Sequence, residues 1–159
     1  MENVVTTTGA QIREDHDYDA PQFNLPRIIR GSANIVICGE ISTDGAASGS
    51  FTMKIQKWDG TTATLLATGT SSKIGDDTDL GQGQHILNVP ITIPITPFKV
   101  GEQLRVTVRP EFDRNGGTTM SAIYGVSPNN LSGSFFDPAT DTNPPSITKL
   151  IPAIPFQID

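Results

Sequence analysis

The residues that could perform acid–base or nucleophilic chemistry are few and far apart in this sequence. The only histidines are His16 and His85, whereas a nucleophilic side chain needs a nearby base to activate it. No G-x-S-x-G, H-E-x-x-H, Walker or Rossmann glycine pattern occurs. Glu40, Glu102 and Glu111 are the candidates for paired-carboxylate hydrolysis, but the sequence lacks the aromatic platforms that sugar-cleaving clefts usually carry. We therefore predict that the protein is not an enzyme.

Two acidic clusters have a composition that suits metal binding. Asp15, Asp17 and Asp19 are spaced as at the start of a calcium loop, but Ala20 stands where that loop requires glycine. The cluster is then either a solvated arm or an arm docked on a basic partner. The second cluster is a turn or a surface metal site between subunits, and we predict no metal or cofactor at either. Its carboxylates are those of Asp76, Asp77 and Asp79.

Trp58 and Cys38 each allow a structural and a chemical interpretation. Trp58 stands beside a predicted hairpin turn, where it is a hydrophobic lid on the end of the fold or a contact to a sugar or another subunit. Cys38 is the single cysteine and follows Ile35, Val36 and Ile37, which favours a buried and inert thiol. Since no internal disulfide is available, stability must come from packing or association.

The elements that must position these residues are strands. Apolar residues alternate with polar residues or proline from Leu87 to Ile95, and again from Leu104 to Val108, which predicts two strands with one buried face each. Pro90 and Pro94 remove backbone donors from the same side of the first strand, which predicts a sheet edge or a bulge. Asp59-Gly60 between two further strand-like runs predicts a hairpin with a type I′ turn.

No segment of ten or more residues has helical apolar spacing with caps, so we predict an all-β protein. Some six to eight strands, several of them long, favour an antiparallel β-sandwich of jelly-roll or related type. Seven of the twelve prolines lie near the two ends of the chain. We accordingly divide the chain into an extended N-terminal arm at 1–26, a β-sandwich domain at 27–136 and a Pro-rich C-terminal arm at 137–159.

Composition and charge limit the partners. The net charge is −6, the isoelectric point is near 4.7 and no basic run occurs, which disfavours nucleic acid. No apolar run approaches the roughly 20 residues that span a bilayer, and the N-terminus has no secretory signal pattern. The C-terminal arm carries apolar residues that would anchor it on a neighbouring chain or across its own sandwich. With Trp58, the predicted partner-binding residues are Ile147, Leu150, Ile151, Ile154 and Phe156.

The hairpin FTMKIQKWDGTTATLLATGT, the later FKVGEQLRVTVRPEF and the extended ends resemble small jelly-roll β-sandwich proteins of virus particles. The resemblance is strongest to the capsid decoration (cement) proteins of tailed bacteriophages and covers about residues 27–136. It implies a non-enzymatic structural protein of the virion, bound to the outer capsid surface and bridging capsomers. The major capsid protein or other virion subunits would be its partners, and the protein would be made in the host cytoplasm without a signal peptide.

The resemblance leaves an alternative and an oligomeric state open. The strand, K-x-G-E, strand pattern around Lys99 also occurs in tumour-necrosis-factor-like trimers and in carbohydrate-binding modules. The alternative is therefore a receptor- or carbohydrate-binding module of a viral fibre or tail, in which Trp58, Tyr124 and loop carboxylates would meet a glycan. Self-association is expected in either case, and a trimer would match three-fold positions of a capsid.

Overall fold

The computed structural model describes residues 2–7, 10–43, 45–76, 83–114, 116–125 and 150–157, and this part of the chain contains strands and no helix. The strands form two six-stranded antiparallel sheets that pack face to face, which confirms the predicted all-β antiparallel sandwich. No helix in the described ranges is long and apolar enough to cross a membrane. The strands are β1 Glu2–Thr7, β2 Gln11–Arg13, β3 His16–Asp19, β4 Arg27–Thr43, β5 Ala47–Trp58, β6 Ala63–Thr70, β7 Ile74–Gly75, β8 Gly83–Phe98, β9 Gln103–Arg114, β10 Met120–Gly125, β11 Leu150–Ala153 and β12 Phe156–Gln157.

Each sheet is built on one long central strand. In the first sheet β4 pairs with β8 along one side and with β10, β11 and β12 along the other, and β1 pairs with the free side of β10. In the second sheet β9 pairs with β5 on one side and with β2 and β3 on the other. β6 and β7 pair with the far side of β5. Among the described strands, β8 and β6 are therefore edge strands of their sheets.

The core lies between the two sheets and consists of the alternating inward-facing residues. Phe51 is completely buried and packs edge-on against Phe112 and Tyr124, with ring centroids 5.2 and 5.5 Å away. A Cβ at Gly39 would overlap the Phe51 ring, so the strand opposite this phenylalanine requires glycine. Cys38 is buried, as predicted, at 3% exposure. The inward positions thus determine the sandwich, as expected when one face of each strand excludes water.

The two segments predicted as arms contain strands that pair with the sandwich. β1 joins the first sheet, whereas β2 and β3 join the second, and Ile12 is part of the buried core. We predict that the C-terminal segment is anchored either on a neighbouring chain or on its own sandwich. β11 and β12 pair with β4 of the same chain, so this segment is anchored on its own sandwich. Ladder hydrogen bonds and buried side chains offset the entropy lost on ordering these segments.

One inward-facing assignment was wrong. The alternation of β8 predicts that Ile95 is buried, but its side chain is 68% exposed, and Thr96 and Phe98 are buried instead. The cause is a register shift between Ile29 and Gly31 of β4, which reverses the phase of the alternation in the last residues of β8. The proline-containing part of β8 does lie at a sheet edge, as predicted.

The Asp59-Gly60 hairpin is confirmed, with a longer turn than the two-residue type I′ turn we predict. Four residues separate β5 from β6, and Gly60 has a φ of 97°. The Asp59 carboxylate accepts hydrogen bonds from the backbone N–H groups of Thr61 and Thr62, at 2.8 and 2.7 Å. The aspartate side chain therefore closes the turn that the sequence places here.

Candidate functional site

The three glutamates considered for hydrolysis are not brought together. Glu40 lies on β4 of the first sheet, whereas Glu111 lies on β9 of the second sheet and Glu102 in the turn before β9. Nine residues of strand separate Glu102 from Glu111, which corresponds to about 30 Å. The Glu102 carboxylate is 3.0 Å from Lys57 Nζ, and the Glu111 carboxylate is 3.1 Å from Arg109 Nε.

The two histidines lie on different sheets. His16, on β3, packs edge-on against the Tyr124 ring with centroids 5.7 Å apart and lies 3.7 Å from the Glu14 carboxylate. His85 lies on β8, opposite Gly39. Tyr124 is completely buried, and this burial raises the pKa of its phenol well above the usual value, so the phenol stays protonated. The alternative function assigns a glycan contact to Tyr124, and this assignment is wrong because the side chain is not accessible.

The acidic cluster before β4 binds basic side chains of the same chain. Asp17 and Asp19 both accept hydrogen bonds from Arg105, and the Asp15 carboxylate is 2.6 Å from Lys54 Nζ. Of the two interpretations, the docked arm is therefore correct, and the basic partner is the second sheet itself. The part of the chain that the structure describes contains no group of three or more His, Cys, Asp or Glu side chains that could hold a metal ion.

The second acidic cluster is only partly described. Asp76 Oδ2 accepts a hydrogen bond from the backbone N–H of Ala47 at 3.1 Å, and the Asp76 N–H donates to the Ala47 carbonyl at 2.9 Å. Asp76 therefore fixes the end of β7 against the start of β5. Asp77 and Asp79 lie outside the described residues.

Arg105 is a site residue that the sequence analysis missed. Its Nε and Nη2 donate to the two oxygens of Asp19 at 2.6 and 2.8 Å, and its guanidinium carbon lies 4.0 Å from the centroid of the Trp58 ring. Basic residues at alternate positions of β9 face acidic residues at alternate positions before and within β3, so the sequence did contain a signal for this pairing. Arg105 thus joins three strands on the outer face of the second sheet.

Trp58 lies on the outer face of the second sheet and does not form a lid over the end of the sandwich, which was one of its two interpretations. Phe51, Met53 and Ile55 face the core, so alternation along β5 places Trp58 on the outer face of the second sheet. Its side chain is half-buried, and the Arg105 guanidinium covers one face of its ring. One ring face is therefore already occupied by a cation–π contact.

Apolar side chains of three segments lie at one end of the sandwich, which we call the apolar end and define as Phe23, Leu25, Val100, Ile154 and Phe156. Leu25, Val100 and Phe156 are exposed, whereas Phe23 and Ile154 are partly buried against the core. The loop before β4 binds the turn after β8 through two backbone hydrogen bonds, from Phe23 N–H to the Glu102 carbonyl and from Gly101 N–H to the Phe23 carbonyl. The rings of Phe23 and Phe156 are 5.8 Å apart. Three segments that are distant in sequence therefore form this surface.

Three residues of the apolar end are exposed, and charged groups lie beside them. Leu25 is 58% exposed, Val100 61% and Phe156 43%. Beside them, Lys57 Nζ lies 3.0 Å from the Glu102 carboxylate and also donates to the Pro97 carbonyl. An apolar centre with a charged border is the composition of many protein–protein interfaces.

The predicted partner-binding residues divide between this end and other places. Ile154 and Phe156 lie at the apolar end, and Trp58 lies on the adjoining outer face. Ile151, on β11, is 46% exposed and pairs with Val36 of β4. Ile147 and the side chain of Leu150 lie outside the described residues. Leu25 and Val100 were missed because an isolated apolar residue in a loop carries no periodic signal.

We expect acid to destabilise the protein through two carboxyl groups. The Arg105 hydrogen bond holds the pKa of Asp19 below its usual value, and the backbone N–H of Lys99 does the same for the pKa of Glu102. Because the folded pKa values are lowered, this stabilisation is present above the unfolded values of about 3.9–4.3 and is lost as the pH falls through the folded values. Urea unfolding between pH 5 and pH 2 should show the decrease. The decrease should be smaller in the Asp19→Asn, Glu102→Gln double variant, and an equal decrease would contradict the assignment.

Comparisons with known proteins support the fold alone. No protein-family model matches the chain, and no curated protein sequence matches it. Among solved structures, an aminopeptidase from a marine sediment archaeon (Thaumarchaeota archaeon) is similar over 69% of this chain and 23% of its own, with 14% identity and a TM-score of 0.51. A CocE/NonD family hydrolase from Staphylococcus aureus is similar over 77% of this chain and 30% of its own, with 15% identity and a TM-score of 0.51. The chain therefore spans less than a third of these two proteins. Its fold and surface together define a β-sandwich protein with a candidate partner-binding end.

Proposed function

We propose that this protein is a non-enzymatic structural component of a virus particle, a capsid decoration protein that binds the outer capsid surface and bridges capsomers. The observation that carries the proposal is the apolar end, where Leu25, Val100 and Phe156 each expose more than two fifths of their surface on three segments that meet at Phe23. Exposed apolar side chains that share one end of a fold, with charged groups beside them, are typical of an interaction site. The partner is the major capsid protein or another virion subunit.

The charge distribution supports attachment by one end. The net charge of −6 keeps the remaining surface soluble, whereas several charges on the outer face of the second sheet form internal pairs, such as Arg105 with Asp17 and Asp19. Pairs that are already satisfied offer little attraction to a charged partner. The binding free energy would therefore come from burying the apolar end, with Lys57 and Glu102 at its border.

The C-terminal segment contributes to both the fold and the proposed interface. β12 pairs with β4 at Ile29, which fixes the backbone of Phe156 next to the core. The Phe156 ring nevertheless remains 43% exposed and contacts Phe23. A partner that covers the apolar end would therefore contact a surface that is already ordered, at a small cost in entropy.

The Leu25→Asp, Val100→Asp double variant tests the proposal. Two carboxylates in the apolar end should weaken attachment at least about tenfold, because a charge without a partner is costly to bury. The measurement is co-sedimentation of the purified protein with particles of the source virus assembled without it. Ile86→Asp is the matched control, since Ile86 is 75% exposed but lies about 40 Å along β8 from this end, and it should attach normally.

Two results would contradict the proposal. The first is failure of the wild-type protein to attach to such particles, and the second is equal attachment of the double variant. All three substituted side chains are exposed, so thermal unfolding should change little and a folding defect is readily recognised. A Trp58→Ala variant tests the receptor- or carbohydrate-binding alternative, which requires that it lose binding to glycans while particle attachment is unaffected.

A further inference from the structure

The two edge strands on the same side of the sandwich differ in their protection against pairing. β8 carries Pro90 and Pro94, and proline is a common device that prevents an edge from recruiting another strand. β6 contains neither proline nor a charged residue, and Leu65 on it is 56% exposed. Among the described strands, β6 pairs only with β5. Its outer edge is therefore the less protected of the two.

The hydrogen-bonding direction of β6 can be read from the two ends of its ladder. Ser71 N–H donates to the Phe51 carbonyl of β5, so alternation directs the backbone groups of Thr68 and Thr70 away from β5. At the other end Thr62 accepts from Asp59 N–H, so the groups of Ala63 and Leu65 also point away. The register shift between β5 and β6 makes Leu66 the extra residue between these halves. The outward groups are thus symmetrical about the centre of the strand.

This symmetry indicates which strand can pair with the outer edge of β6, namely β6 of a second copy of the protein. If two copies of β6 pair antiparallel about a two-fold axis at residues 66 and 67, Leu65 of one copy lies opposite Thr68 of the other, and Ala63 lies opposite Thr70. All four residues direct their backbone groups towards the partner, so the ladder is complete on both sides of the axis. The extra residue Leu66 falls at the axis, where its irregularity interrupts neither half.

Charge at the two ends of β6 favours the same arrangement. Asp59 lies four residues before β6 and Lys73 three residues after it, and both are exposed. In the antiparallel pair the same register places Lys73 of each copy opposite Gly60 of the other, next to Asp59. A two-fold axis also brings identical residues of the two copies close together. Because β6 contains no charged residue, this causes no repulsion between like charges. We propose that the protein forms a two-fold dimer by pairing of β6 with β6 of a second copy, which makes one continuous sheet from the two second sheets.

The test uses the isolated protein, so its outcome is independent of particle attachment. Sedimentation velocity over a wide concentration range should show a monomer–dimer equilibrium for the wild-type protein. Thr68→Pro removes an outward N–H in each copy and should weaken the dimer about 10- to 100-fold. The matched control is Thr92→Pro on β8. Thr92 lies between Pro90 and Pro94, and its backbone N–H points out of the sheet edge as that of Thr68 does. This variant should form the dimer as the wild-type protein does.

A second variant keeps the test valid if Thr68→Pro destabilises the fold. Lys73→Glu leaves the backbone intact and should weaken the dimer about 2- to 30-fold at low salt, because two exposed ion pairs are lost. Circular dichroism should show both variants folded. A wild-type monomer at all concentrations, a trimer, or a dimer that Thr68→Pro does not weaken would each overturn the proposal.

Discussion

Replacing Phe51 with alanine should lower the free energy of unfolding by about 3–5 kcal/mol. Phe51 is completely buried and contacts the rings of Phe112 and Tyr124, and it fills the space left by Gly39. The substitution leaves a cavity that strands from both sheets border, and rigid strands close such a cavity only partly. Since domains of this size are stable by about 5–15 kcal/mol, much of the stability would be lost. Urea unfolding followed by circular dichroism measures the change.

Phe156→Ala is the matched control for this prediction. The same side chain is removed, but Phe156 is 43% exposed, so the loss should be about 1 kcal/mol or less. Phe51→Leu should fall between the two, because it retains most of the buried volume. Equal effects of Phe51→Ala and Phe156→Ala would mean that Phe51 is not at the centre of the core.

Replacing both Pro90 and Pro94 with threonine should make the protein form assemblies larger than the monomer and dimer that we expect for the wild type. The two prolines point their missing donors outward from the edge strand β8, and Thr92 between them points the same way. Threonine at all three positions would create a continuous row of unpaired donors and acceptors on a strand that favours pairing. Light scattering at increasing concentration should show assemblies that the wild-type protein does not form.

Pro21→Thr is the control for this pair, because Pro21 is exposed and lies outside the strands. This variant should behave as the wild-type protein does. Thermal unfolding should show that the double variant is folded before it assembles, since β8 keeps its pairing with β4. If the double variant forms no assembly larger than those of the wild-type protein at the same concentration, the prolines do not protect this edge.

The arrangement of the outer face shows where prediction from sequence ends. The spacing of Asp15, Asp17 and Asp19 permitted either a metal loop or an arm on a basic partner, and nothing local decides between them. The decision depends on β3 lying beside β9, which brings Arg105 against Asp17 and Asp19. The prediction that Ile95 is buried was wrong for a related reason, because the bulge that exposes this side chain arises from pairing with β4.

The sequence by itself determined strands β8 and β9, most of their buried positions, the Asp59-Gly60 hairpin and the edge position of the prolines in β8. These features depend on the two-residue period of a strand, on the φ that glycine permits and on the donor that proline lacks, all of which are properties of neighbouring residues. Only the tertiary structure decided that Phe23, Val100 and Phe156 form one apolar end and that β6 is an open edge. Both depend on which distant strands pair, and that choice is made by the packing of the whole core.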